Sequence, residues 1–102
     1  MRVITRRPLR RFAERWPDAA GALADWYRKT TAARWRNFAD LKRTFGQSDL
    51  APVDSGNTVV VFDVGGNKYR LVAAVNYNKG KVYVLRVLTH KEYDAEKWKR
   101  DL

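Results

Sequence analysis

Cysteine is absent from the 102 residues, and histidine and methionine each occur once. Without thiols the chain has no disulfides and no thiolate chemistry, which fits a reducing compartment such as the cytoplasm. One histidine and no cysteine leave nothing from which a zinc site is built, and no metal or other cofactor is expected. No apolar run approaches the roughly 20 residues that span a bilayer. The N-terminal "MRVITRRPLRRF" never develops the uninterrupted apolar stretch of a signal peptide, so no membrane role is expected. Acidic residues are also scarce: 11 Asp and Glu stand against 21 Lys and Arg, a net charge of +10. An excess of that size attracts polyanions and makes their association salt-dependent. Nucleic acid is the leading partner class, ahead of an acidic protein, an anionic membrane or a merely solvated basic face.

What is present organises itself into one domain, residues 1–102, because this length supports one hydrophobic core and not two. The positive charge is concentrated: residues 1–45 carry 12 basic and 4 acidic side chains, residues 46–102 carry 9 and 7. Most of the basic residues in the first part are arginine, which suits bidentate phosphate contacts. The hydrophobic period divides the chain at the same place. "RVIT" is a short β-prone segment for the edge or centre of a sheet. Thr5 can cap a helix that tolerates Pro8 in its first turn. Leu9, Phe12, Ala13 and Trp16 recur there at helical spacing, leaving Arg6, Arg7, Arg10, Arg11 and Arg15 around much of the remaining circumference. Pro17 ends that helix, Asp18 caps a second with Leu23, Trp26 and Tyr27 inward, and a third spans Asn37 to Phe45. The periodicity of these aromatics assigns them to a core and not to base-stacking platforms. "GQSDLAPVDSGN" is a turn-rich break. After it "TVVVFDV", "KYRLVAAVNY" and "KVYVLRVLTH" form three strands joined at "GGN" and "NKG", and "DAEKWKRDL" forms a short helix with Trp98 inward. The fold class is therefore α+β: N-terminal helices on a small antiparallel sheet, with a short C-terminal helix.

With "NKG" as a three-residue loop closed by Tyr77 and Lys81, residue 72 pairs with 86, 70 with 88 and 68 with 90. Lys68, Arg70, Arg86 and His90 then share one face. Tyr69, Leu71, Ala73, Val75, Tyr83, Leu85 and Val87 share the other, against the helices. Basic groups gathered from neighbouring strands repel unless an anion lies among them. The alternative leaves Lys68 and His90 as solvated groups at a strand end, and a one-residue change in the loop would scatter the cluster. Other chemistries lack their parts. "VGGNK" has no strand–loop–helix layout for a phosphate loop, and neither Ser48 nor Ser55 has a base nearby. RNA phosphodiester cleavage suits what remains: the 2′-OH is the nucleophile, cationic side chains stabilise developing charge, and His or Tyr moves protons.

Two blocks, "GNKYRLV" (Gly66 to Val72) and "THKEYD" (Thr89 to Asp94), resemble in their order and placement the HigB family of RelE-like toxins of bacterial type II toxin–antitoxin systems. The similarity covers nearly the whole chain, through "RVITRRPLRRFAERWPDA" and "LADWYRKTTAARWRNFADLKRTF" to the strands. It implies an endoribonuclease that cuts mRNA, typically on the translating ribosome, and so inhibits translation. It also implies restraint by a helix-turn-helix antitoxin, the free toxin being a monomer and the inhibited form a hetero-oligomer. By position, Arg70 matches the arginine of the family's "N-x-x-R", and His90, Glu92, Tyr93 and Asp94 match its "T-H-x-E-Y-D". The family's "Y-I-R" stands here as "YVLR", so Leu85 takes the arginine's place and Arg86 comes one position late. The implied roles give Arg70 the scissile phosphate, with Lys68 assisting and Arg86 joining if a bulge restores its face. His90 is the general acid or base. Tyr93 either orients the RNA, stacks a base or relays a proton, or packs on the sheet's end with its hydroxyl hydrogen-bonded. Glu92 and Asp94 are turn and capping residues, Asp94 as the N-cap before "AEKWK". Arg6, Arg10, Arg11 and Arg36 are candidate contacts to ribosomal RNA or antitoxin. The competing class is a catalytically inactive basic module of the same fold that binds RNA or protein.

Overall fold

The change of hydrophobic period near residue 46 is a change of layer. The computed structural model, which describes residues 1–102, places three helices in the first half: α1 (Arg7–Arg15), α2 (Ala20–Ala32) and α3 (Phe38–Thr44). Five strands make one sheet: β1 (Arg2–Ile4), β2 (Asp49–Pro52), β3 (Thr58–Val64), β4 (Tyr69–Asn76) and β5 (Lys81–Thr89), in the order β1-β5-β4-β3-β2. A short helix α4 (His90–Asp94) and a 3₁₀ turn over Lys97–Asp101 follow. The class is α+β as expected, but the sheet is mixed. Strands β2 to β5 are antiparallel, whereas β1 lies parallel to β5 at the edge. A parallel neighbour needs a long connection, and here everything from α1 to β4 lies between the two strands in the chain.

Several local expectations are corrected. Part of the turn-rich break is strand β2, whose Ala51 pairs with Val59 and is buried. Thr5 does not cap α1: it takes a positive φ of 59° and its hydroxyl donates to the Val84 carbonyl (3.1 Å), leaving Arg6 at the cap position. Asp18 does not cap α2 either, because Pro17–Ala19 form a 3₁₀ turn and the carboxylate accepts from the Tyr69 hydroxyl at 2.7 Å. Asn37 does cap α3, accepting from the Asp40 N–H.

Both faces of the sheet are covered. On the helical side Leu9, Phe12, Leu23 and Trp26 pack on Phe62, Leu71, Val82 and Val84, with Trp26 edge-on to Phe62 at 5.4 Å. On the other side, where the chain length pointed to a single core, Val59, Val61, Val72 and Leu88 form a second, smaller one closed by Trp98, because the C-terminal segment folds back over that face. This explains the unbroken apolar run of β3, since a strand buried on two faces has no reason to alternate.

The β4–β5 register contains an irregularity that positions everything downstream. At the hairpin end Asn76 pairs with Lys81 and Ala73 with Val84, so the loop holds four residues instead of the expected three. One extra residue, Leu85, then bulges between Val84 and Arg86, and from there Val72 pairs with Arg86 and Arg70 with Leu88. The expected pairing is thus correct near Arg70 and wrong by one near the loop. Val82 and Val84 face the helices in place of Tyr83 and Leu85, and Leu85 turns to the second core.

Candidate active site

The turn between β3 and β4 brings the first site residue into place. Gly65, Gly66 and Asn67 all have positive φ, so the chain reverses tightly and sets Asp63 directly opposite Arg70. Arg70 is only 8% exposed, deep for a guanidinium, and is held by four contacts. Nε lies 3.0 Å from Asp63 Oδ1, and Nη1 donates to the carbonyls of Asn67 (3.1 Å) and Tyr69 (3.2 Å). Nη2 lies 3.2 Å from His90 Nδ1. The guanidinium also sits over the Tyr93 ring, 5.5 Å from its centre. Four of its five N–H groups are committed, and one Nη2 hydrogen remains.

His90 opens α4 and is not the last residue of β5, although its backbone N–H still bonds the Lys68 carbonyl at 3.1 Å and so continues the ladder. The helix start is fixed by a capping box: the Thr89 hydroxyl accepts from the Glu92 N–H while the Glu92 carboxylate accepts from the Thr89 N–H. Glu92 is the capping residue expected, but Asp94 is not an N-cap. Its Oδ2 lies 3.0 Å from His90 Nε2, one helical turn back. A guanidinium can only donate, so Nδ1 must be the accepting nitrogen and Nε2 must carry the proton, donated to Asp94. The result is a relay running Asp63–Arg70–His90–Asp94. Its exposure increases from the Arg70 end, since the His90 and Asp94 side chains are 55% and 60% exposed.

The other expected site residues are dispersed. Lys68 belongs to the turn before β4, and its exposed ammonium points to Asp18 (3.9 Å) on the helical side. Tyr93 packs its ring flat on Trp98 (5.4 Å, 18°), with the Arg70 guanidinium above it. The bulge sets Arg86 opposite Val72, but it bonds its neighbour's Leu85 carbonyl (2.7 Å) and neither Arg70 nor His90. Arg6 donates to the Tyr27 hydroxyl and, with Arg10, lines an apolar groove between α1 and α2. Arg11 lies in a different cleft, toward β5, and Arg36 is paired with Asp40 at 3.2 Å. Asp63 was missed, although pairing "FDV" with "KYR" across the Gly pair would have found it.

The matching family model covers residues 19–96 and describes HigB_toxin, the RelE-like toxic component of a toxin–antitoxin system. The chain belongs to the HigB family. Among its relatives, the "mRNA interferase toxin HigB" of Escherichia coli K12 is 33% identical over 94 residues, 92% of this chain and 88% of that protein. The "mRNA interferase HigB" of Shigella flexneri matches to the same extent, and that of Escherichia coli O6:H1 is 29% identical over 92% of this chain and 89% of its own. Every residue of the Arg70–His90–Asp94 relay falls inside the segment matched to HigB_toxin. The family's toxin–antitoxin character brings with it an antitoxin partner and an RNA target, and no helix is long and apolar enough to cross a membrane.

Proposed function

We propose that this protein is an mRNA interferase toxin, an endoribonuclease that works by general acid–base chemistry without a metal. It acts on message in the translating ribosome, in the cytoplasm, and is restrained as a hetero-oligomer by a helix-turn-helix antitoxin. The observation that carries this reading is the contact between Arg70 Nη2 and His90 Nδ1, a phosphate-binding group joined to a proton-transfer group. In the free protein the basic nitrogen of the imidazole is occupied by Arg70. A scissile phosphate arriving at Arg70 recruits the Nη2 hydrogens, and Nδ1 is released to take the proton of the adjacent 2′-OH. The 2′-oxygen then attacks phosphorus and the P–O5′ bond breaks. The departing 5′-oxygen takes a proton from water to give a 5′-hydroxyl beside a 2′,3′-cyclic phosphate, and His90 returns its proton to the hydroxide left in solvent. Arg70 stabilises the charge that develops on the phosphoryl oxygens, and Asp94 holds the ring in the required tautomer. Tyr93 assists from outside as the platform under the guanidinium, whereas Lys68, directed to Asp18, takes no part in the step.

Induced expression in bacteria tests this. Wild type should arrest growth and produce discrete cuts in translated messages but not in a message lacking its start codon. His90→Ala should lower the cleavage rate by roughly 10²–10⁴-fold, the usual worth of a general acid–base group. Arg70→Lys keeps the charge but not the planar fork and should not restore Arg70→Ala. Cells that grow normally while accumulating soluble wild-type protein would sink the enzyme reading, and ribosome binding without cleavage would favour the inactive module.

A further inference from the structure

Helix α1 is built against its own electrostatics. Arg7, Arg11 and Arg15 repeat at i, i+4 and i+8, a row of like charges that destabilises an isolated helix. The first turn contains no acidic residue, so the N-terminal arginines also oppose the helix dipole. None of the three has a carboxylate within ion-pairing distance, and neither has Arg86, which faces them across a cleft of about 310 Å³ between α1 and β5. The one carboxylate lining that cleft, Glu92, is committed to the capping box of α4. The cleft forms here because β1 covers β5 only as far as Tyr83, leaving the strand edge open beyond it. Four guanidiniums set against this single carboxylate leave a positive surplus that calls for an external anion.

A second feature says which anion. Trp16 lines the same cleft and is 36% exposed, whereas Trp26, Trp35 and Trp98 are 1%, 2% and 5% exposed. The helical spacing that assigned Trp16 to the core fails for this residue because it stands at the end of α1, where the backbone leaves helical geometry. Arg15 lies over its indole, 5.8 Å from the ring centre, and is itself exposed, so it can give way to another planar group. An aromatic ring among cations is the arrangement that holds single-stranded nucleic acid, by base stacking and phosphate contact together.

We propose that the α1–β5 cleft is a nucleotide subsite for single-stranded RNA. Trp16 stacks a base flanking the cleavage site, and Arg7, Arg11 and Arg86 hold the adjoining phosphates. The subsite rests on the reading of this protein as an RNA-cleaving enzyme, and message and ribosomal RNA both present the required chemistry.

Intrinsic fluorescence tests it, because Trp16 is the tryptophan within reach of a ligand. A 2′-O-methyl RNA 12-mer, which lacks the nucleophile, is titrated into the wild-type protein. Saturable quenching is expected, with loss of the quenching in Trp16→Phe. Trp16→Ala should weaken affinity by about 5- to 150-fold, the usual worth of one stacked base. An Arg7→Ala, Arg11→Ala pair should flatten the log K against log salt slope by about 1.4, at roughly 0.7 per phosphate contact on a single strand. Melting curves identify any variant that fails to fold, and Trp16→Phe then carries the test. Binding to the free oligomer names message as the source, whereas Trp16-dependent binding only to message-free ribosomes names ribosomal RNA. Inorganic polyphosphate binding as tightly as RNA, with no dependence on Trp16, would overturn the subsite, as would binding to none of these. Message cleavage in cells is scored separately: cleavage that survives in Trp16→Ala with unchanged RNA affinity refutes the subsite and leaves the enzyme standing. Trp16-dependent binding with no cleavage does the reverse.

Discussion

Arg70 depends on a residue that makes no claim to chemistry of its own. Asp63 sits across from it in the β3–β4 ladder, and the two side chains are 20% and 10% exposed. Removing one member of so secluded a pair leaves the other without its counter-charge. Asp63→Ala is therefore expected to lose about 2 kcal/mol of stability, within the range for a charged hydrogen bond. RNA cleavage should fall as well, because Nε is no longer anchored. Urea unfolding and a cleavage assay on the same preparation check both. At this scale the sequence was informative about identity and poor about partnership. Arg70 and His90 were legible from two motif blocks, and their meeting followed from strand parity. Asp94 was misassigned because a short acidic residue before "AEKWK" has a cap's composition, whereas its i−4 spacing to His90 decided its use.

At the scale of the element, β5 shows how two misplaced expectations can compensate. A four-residue loop where three were expected shifts the hairpin by one, and the bulge at Leu85 shifts it back before Arg70 is reached. Loop length was not legible, because "YNKG" and "NKG" close hairpins with equally suitable residues. The bulge had one trace, the "YVLR" that carries its arginine a place late. Since Leu85 is the surplus residue, deleting it should leave the pairs Ala73–Val84 and Val72–Arg86 intact. We expect the deletion variant to fold with a modest loss from the second core, whereas deletion of Val87 should prevent folding by sending Leu88 and Thr89 to the wrong faces. Circular dichroism and thermal unfolding of the two variants distinguish these outcomes. Strand β2 was not legible for a related reason: Pro52 and its polar neighbours describe a turn, and only an edge position makes them acceptable in a strand.

Over the whole molecule, the helical layer and the site end of the sheet are joined through Tyr69 and Asp18. The hydrogen bond to Asp18 is the largest cause holding the Tyr69 hydroxyl above the ordinary tyrosine range. A raised folded pKa means the bond's contribution is fully present below the unfolded value of about 10 and is lost as pH rises through the folded one. Wild type should therefore lose stability above about pH 10. Tyr69→Phe, less stable at neutral pH, should show a flatter alkaline limb, with the remaining slope owed partly to Tyr77, whose hydroxyl burial also raises. Denaturant titrations from pH 8 to 12 make the comparison. The two-layer plan itself was legible, because a change of hydrophobic period is a global signal. The parallel edge was not, since three residues of "RVI" carry no mark of their direction.

The relay of Asp63, Arg70, His90 and Asp94 also fixes where attraction ends and reaction begins. With the imidazole neutral its charges sum to −1, although the protein as a whole stands at +10. The proposed reacting centre is thus nearly balanced, and the pull on a distant polyanion comes from basic residues outside it, the unpaired arginines of α1 among them. Capture and catalysis are consequently separable properties: ionic strength acts on how often RNA arrives, and much less on how fast a strand already seated is cut.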